Sequence, residues 1–416
     1  MHSKINILTL IRNFYIFSLI IYSGLGIEYF RENSGMFFLL ILSLIVSVFY
    51  KFNTISKNIV IIISIWIVYS ILNTISIRSF HPVIFIYFPI LFFSAYIAIK
   101  LYNEKIFYKI ESIIYYLAII SLFFYVWQLI DSGSLFNIAQ KININPPTDI
   151  GNLRIKYNFI IYNINHMDNW ALPRNSGYCW EPGPFGCFIV LSIFLNQIRT
   201  EFSIANNKRF WIFFIALLTT QSTTAFVAFF IVVLWILLNK KRINKLVVIL
   251  LPLTLLIIMA VFINTPFLQE KIIGEFSQTD EIDKYVLLSM NDRYGDAYAP
   301  GRFASFIITW KDFIARPLFG FGGNSSLQWT EQAGAVIAPV SGIGNLLARY
   351  GVFVFIGWIF LLVKSSRFIN SLYENAKFKF VWILLVLMLA FAFSVVFSPV
   401  FLIIYLMPFY FKNISR

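Results

Sequence analysis

Two short stretches of this 416-residue chain bring chemistry-bearing side chains together. The first is Arg174-Asn-Ser-Gly-Tyr-Cys-Trp-Glu-Pro-Gly-Pro-Phe-Gly186, which holds a cation, a carboxylate, three glycines and two prolines within thirteen residues. Pro182 biases Glu181 toward an extended backbone. Pro182 or Pro184 suits the first turn of a helix, where a missing N–H costs nothing. Glu181 therefore stands at a helix mouth. There it can cap the helix and answer its dipole, for about 0.3–1 kcal/mol, or serve as a general base or acceptor toward a substrate hydroxyl. Arg174 is either a snorkelling interfacial residue or an anion ligand.

The second stretch runs from Pro300 to Gly323. Arg302, Trp310, Lys311 and Arg316 fall on a helix-like pattern closed by Pro317 and glycines at 320, 322 and 323, which let a backbone approach a ligand closely. The GxxxxGK[ST] spacing of a Walker loop is absent. The alternative is an amphipathic helix on a bilayer surface, with its basic residues toward headgroups. Gln221, within Thr219-Thr-Gln-Ser-Thr-Thr224, offers an amide among hydroxyls, for helix–helix hydrogen bonding or for a substrate. Arg349 lies in the apolar run Asn345–Gly351. An arginine within a membrane costs about 2.5–3.5 kcal/mol on insertion scales, which makes it a functional candidate. The acids Asp280, Glu281, Asp283, Asp292 and Asp296 lack EF-hand spacing and read as a solvated loop before a divalent-ion site. His81, and His166 with Asp168, read as surface features. Cys179 and Cys187 are too few for a disulfide framework and read as packing residues before a single bridge. Three histidines without ligand spacing argue against a structural zinc site.

The elements that must position these residues are membrane helices. The chain is 59% hydrophobic and 12% charged, against about 25% charged in soluble domains, with a mean hydropathy of +0.78. Apolar runs match a hydrocarbon core of about 30 Å. They lie near Ile7–Leu25, Gly35–Tyr50, Asn58–Ile75, Pro82–Ile99, Ile113–Ile130, Phe185–Ile198, Phe210–Thr220, Ala225–Leu238, Leu246–Phe262, Gly344–Val363, Phe380–Phe397 and Val400–Phe411. This predicts an all-α polytopic membrane protein of about twelve spans, forming a single transmembrane domain over 1–416 with a retained first helix.

Basic residues mark alternate connections: Lys51 and Lys57; Lys100, Lys105 and Lys109; Arg199, Lys208 and Arg209; Lys240 to Lys245; Lys364 to Lys379; Lys412 and Arg416. The positive-inside rule places these, with both termini, in the cytoplasm. The net charge of +14 is then a topology signal and calls for no nucleic acid. Two long polar segments, 131–181 and 264–341, fall on the opposite side as periplasmic loops. Arg174 is there too, where orientation gives it no reason to be.

At these residues the chain resembles the O-antigen polymerases (Wzy type) of the O-antigen ligase and polymerase superfamily. The resemblance rests on Arg174…Gly177…Trp180-Glu181-Pro182 opening a helix and on the Gln221-Ser-Thr-Thr turn. It also rests on Gly301-Arg302…Trp310-Lys311-Asp312…Pro317-Leu-Phe-Gly-Phe-Gly322 in a second large loop. The family's turn often continues Ser-Arg, where this chain has Ser222-Thr223. Ligases usually carry a histidine near the end of the second loop, where Pro339-Val-Ser-Gly-Ile-Gly-Asn345 has none.

The resemblance implies a GT-C-like glycosyltransferase architecture in the bacterial inner membrane, with a periplasmic active site. It implies transfer of an oligosaccharide from undecaprenyl pyrophosphate to the sugar end of a second lipid-linked unit, so both donor and acceptor are lipid-linked, with a chain-length regulator protein as a partner. Arg174 and Arg302 are then expected to bind pyrophosphate, with Lys311 and Arg349 as further candidates, and Glu181 to act as base. Tyr178, Trp180 and Trp310 are expected to stack on sugars or to pack. Gln221 is a substrate contact in the same reading. No metal is expected, because arginine takes up pyrophosphate charge bidentately and stays protonated. The alternatives are an O-antigen ligase and, from a different class, a lipid-linked oligosaccharide flippase, which should hold its ionisable residues near mid-membrane.

Overall fold

The computed structural model describes residues 7–411 except 25, 28–29, 31–32, 53–54, 143–155, 166–172, 240–300, 323–326, 329–339 and 373–377. Helices α1 (Ile7–Gly24), α2 (Asn33–Phe49), α3 (Lys57–Ile77), α4 (Pro82–Tyr102) and α5 (Ile106–Ile130) come first, followed by α6 (Ser132–Ile142) and an antiparallel hairpin of β1 (Lys156–Asn158) and β2 (Asn163–Asn165). Next come α7 (Pro182–Arg199), α8 (Lys208–Thr220), α9 (Thr223–Asn239), α10 (Arg302–Ala315), α11 (Gly342–Ser371), α12 (Val381–Ala392) and α13 (Pro399–Leu406). By length and composition α1, α3, the α4–α5 run and α11 can cross a bilayer, while α2, α9, α12 and α13 are shorter apolar helices. Each expected span falls on one of these helices except Leu246–Phe262, which lies outside the described residues, as does the acidic cluster of 280–296.

The distribution of side chains fits a helical membrane protein. On α3, Ile61, Ile65 and Ile75 are 54%, 64% and 67% exposed, whereas Asn73 and Ser70 are buried. Apolar out and polar in is the pattern a lipid solvent selects, since a buried polar group must find a partner that lipid cannot supply.

Three expected spans fall short of a membrane, α8 among them with 13 residues and a rise of about 20 Å. α12 and α13 have 12 and 8 residues, so at 1.5 Å per residue they rise about 18 and 12 Å, short of the ~30 Å hydrocarbon core. They are part-length helices meeting at an extended Phe393, a tight turn over Ser394–Phe397 and an extended Ser398. Pro399 sets this break, because it holds Ser398 extended and starts the next helix.

α7 is the centre of the bundle, with every residue from Pro182 to Gln197 buried. It packs against α5, α8 and α9. Phe194 stacks 4.7 Å from Trp235 of α9 and 5.3 Å from Trp382 of α12, and Phe188 meets Phe401 of α13. The thiols of Cys179 and Cys187 are both buried and free. An element held this tightly fixes the position of whatever stands at its first residue.

At the end carrying the basic loops, Glu111 is buried with 1% of its side chain exposed. Arg199 lies 3.2 Å and Arg209 3.0 Å from it, and Asn196 donates to it at 2.9 Å. These arginines therefore hold α5, α7 and α8 together besides marking topology. Glu111→Ala should destabilise the fold by about 2 kcal/mol, less than the ~3–5 for breaking a fully buried pair, because the arginines keep 38% and 22% of their side chains exposed. An unchanged thermal midpoint in detergent would contradict this.

At the opposite end, segment 131–181 is only partly a loop. α6 buries Leu135 and Ala139 against Tyr162 and Ile164 of the hairpin region. The Tyr162 hydroxyl donates to Gln128 of α5 at 2.8 Å, and Trp127 donates to Ser134 at 2.9 Å. The patch Phe159–Tyr162 packs on α5 through Phe124.

In the second loop α10 lies along α11. Gly320 and Gly322, after it, make close backbone packing contacts. They dock on a break in α11, where Gly351 has φ +70°. Phe321 N–H donates to Ala348 at 3.1 Å and Gly322 N–H to Arg349 at 2.6 Å, while Val352 N–H donates to Pro317 at 2.8 Å. Tyr69 of α3 donates to the carbonyls of Phe319 and Tyr350, both at 2.8 Å. Gly320, at φ +62°, lies so close that a Cβ would stand 2.5 Å from the Arg349 backbone. Gly323 lies outside the described residues. Gly351→Ala adds a left-handed penalty of about 1–2 kcal/mol to a clash with the Leu318 carbonyl. It should sharply reduce the folded yield on size-exclusion chromatography. Gly357→Ala, with nothing within 4 Å of its Cβ, should be neutral; equal yields would refute the docking role.

Candidate active site

Glu181 occupies the N-cap position of α7 with φ −149° and ψ 160°, yet its side chain makes no capping hydrogen bond. An N-cap oxygen accepts from the second or third helical N–H. Here the third helical residue is Pro184, which has none. The carboxylate turns instead toward Arg302, with Oε2 at 3.8 Å from Nη2. That separation is an ion contact too long for a hydrogen bond. The two side chains keep 30% and 23% of their surface exposed. Arg302 is the first residue of α10, and its guanidinium lies 4.3 Å from the centroid of Phe393, the residue that opens the α12–α13 break. The Phe393 ring in turn packs on the backbone of Gly183, in the first turn of α7. One aromatic ring thus fixes the spacing between the N-termini of α7 and α10.

Arg174 sits differently from the sequence expectation. Its Nε donates to Thr220 O at 3.1 Å and its Nη2 to Gln221 O at 3.0 Å, which satisfies carbonyls left open at the C-terminus of α8. Neighbouring bonds complete the lacing. Asn175 donates to Thr219 Oγ1 at 2.9 Å and Ser121 Oγ at 3.1 Å, and Gln221 Nε2 donates to Pro173 O at 3.5 Å. The Gln221 turn is thereby a packing element for the 173–175 segment. Burial lowers the Arg174 pKa to about 10, Glu181 works against that fall, and Arg302 adds to it through like charge. Arg174 remains a cation at neutral pH, within electrostatic reach of both. Arg174, expected as a pyrophosphate ligand, thus closes the end of α8, while Glu181, expected as a base or a cap, makes no capping bond to α7. Arg174→Ala should cost about 3 kcal/mol or more, since each of its two bonds is of the charged kind, at about 1.5–3 kcal/mol apiece. An unshifted unfolding midpoint would mean the bonds to α8 carry nothing.

The other candidates separate. Tyr178 is fully buried, its ring against Gly24, Phe185 and Phe188. It has no face for a sugar, so the packing reading holds. Trp310 is 41% exposed in a ladder with Phe306 and Phe313, on the side of α10 away from buried Ala304 and Ile308. That placement matches the bilayer-surface reading of this helix. Lys311 is partly buried on the same helix. Arg349 is exposed at the protein surface within α11. It lines a cavity of about 150 Å³ together with Trp180, Tyr22, Tyr87, Asn345 and Ser398. Trp180 joins this cavity to Glu181 by chain adjacency, and Ser394, also lining, joins it to Phe393 and Arg302. Sequence reasoning missed Phe393, Tyr22 and Tyr87, which carry no motif. The missing third N–H of α7 was visible in the Pro-Gly-Pro spacing.

A family model described as O-antigen ligase matches residues 209–350, less than half of the chain. The match takes in Gln221, Arg302 and Arg349, and leaves Arg174 and Glu181 outside. It supports a place in the O-antigen ligase and polymerase superfamily without separating the two activities. No curated protein and no solved structure matched the chain.

Proposed function

We propose that this integral membrane protein is a polysaccharide polymerase. It transfers a glycan from undecaprenyl pyrophosphate to the sugar end of a second lipid-linked unit, at the periplasmic face of the bacterial inner membrane. The observation that carries this is the Glu181–Arg302 pair, part-exposed at 3.8 Å across the N-termini of two helices, at the end of the bundle away from the basic loops. In the transfer, the bond from the anomeric carbon to the diphosphate oxygen breaks and a bond to the acceptor hydroxyl oxygen forms. The hydroxyl proton passes to Glu181, and the electron pair leaves with the lipid diphosphate.

Arg302 takes up the developing charge, with the two helix N-termini adding partial positive charge. Arg174 adds its field from behind while holding the loop in place. A diphosphate is a weak base, so the reaction needs no paired carboxylic acid of the glycosidase kind. A ligase is the second reading, favoured by the description of the matching family. Incubating the purified protein with lipid-linked repeat units alone separates the two. Longer lipid-linked chains are expected, and growth only on adding a separate acceptor would make the protein a ligase.

A further inference from the structure

The cavity beside Trp180 contains more than the transfer step uses. Among the described residues its lining includes one cation, Arg349, and no carboxylate. The Arg349 guanidinium has no carboxylate partner among the described residues. It stands within electrostatic reach of the Tyr87 and Tyr350 hydroxyls. Two helix N-termini open on the same space: α11, through lining Gly342, and α13, through Ser398. Ser398 Oγ is buried without a hydrogen-bond partner among the described residues and makes no capping bond to α13. An unmatched cation, two positive dipole ends and an unsatisfied hydroxyl together favour an anion.

The remaining lining narrows the class. Trp180 and Tyr87 supply part-exposed aromatic rings, and Asn345 supplies an amide. Rings with polar tips and a few placed neutral groups suit a polyhydroxylated ring. A bare diphosphate would engage the guanidinium and leave the aromatic wall idle. The volume of about 150 Å³ is below the ~300–1,000 Å³ of drug-sized sites, so it has room for one ring and not for a whole repeat unit. We propose that this cavity seats a single acidic sugar ring, with its carboxylate on Arg349 and its face on Trp180. The glycan handled here then carries a uronic-acid-type residue next to the reacting end, an inference that rests on reading this end of the bundle as the site for lipid-linked glycans.

Ligand-observed NMR on the full chain in nanodiscs tests this with free D-glucuronate and D-galacturonate against D-glucose and D-galactose, and with inorganic pyrophosphate as competitor. One uronate should bind at least tenfold tighter than its neutral counterpart. Arg349→Gln should abolish that preference, and Trp180→Leu should weaken both acidic and neutral rings. Equal binding of acidic and neutral rings, or a preference that survives Arg349→Gln, overturns the proposal. Displacement of the uronate by pyrophosphate at comparable concentration also overturns it, by assigning the cavity to the carrier's phosphate. Because the wild-type comparison needs neither a variant nor turnover, a failure of chain extension leaves this result standing, and the converse holds.

Discussion

Arg302→Ala should slow glycan transfer by about 10²–10³-fold, the usual loss when one preorganised donor is removed from a developing negative charge. The effect should fall on the chemical step. Arg302 stands at the start of α10 with part of its surface exposed, so its loss leaves the core of α7 and α11 packed. Arg302→Lys should recover only part of the rate. An ammonium brings the charge but neither the planar fork that meets two phosphate oxygens nor the flat face that lies on Phe393. Transfer by Arg302→Ala within threefold of wild type would remove this residue from the chemistry.

Glu181→Gln should reduce transfer by about 10²–10⁴-fold, the range for a positioned general base, with no loss of stability. The second half of that expectation is the informative one. A capping carboxylate would show its removal in the unfolding midpoint, at about 1 kcal/mol. Glu181 makes no capping bond to lose. Retained turnover with a lowered midpoint would restore the cap and dismiss the base.

How much of this was legible depends on the range over which each signal acts. Apolar run length is local, and it located the helices from Ile7–Gly24 through Gly342–Ser371. It overreached at α12 and α13, two runs read as full spans that form helices of only 12 and 8 residues. Glu181 at a helix mouth was readable from Pro182. Its freedom from capping was also readable, though only by asking which N–H groups Pro184 removes. The partner of Arg174 lies 46 residues away in the chain, and no local pattern reports a carbonyl left open at the end of α8. Arg349 looked buried because its neighbours are apolar. It is exposed beside the break at Gly351, and that break is held by the Pro317–Gly322 turn and by Tyr69 of α3, elements remote in sequence. Tyr178 and Trp180 are two residues apart and equally aromatic, and tertiary packing buries the first and opens the second to a cavity. Motif and spacing nominate residues; only packing separates a ligand from a strut.

The central claim is that the Glu181–Arg302 pair forms a glycosidic bond by expelling a lipid diphosphate. It is tested most directly by following two products of one reaction, with lipid-linked repeat units and purified protein in nanodiscs. One lipid diphosphate should be released for each new glycosidic bond, and both products should fall together in Arg302→Ala. Chain growth without diphosphate release, or growth by Arg302→Ala at the wild-type rate, would contradict it.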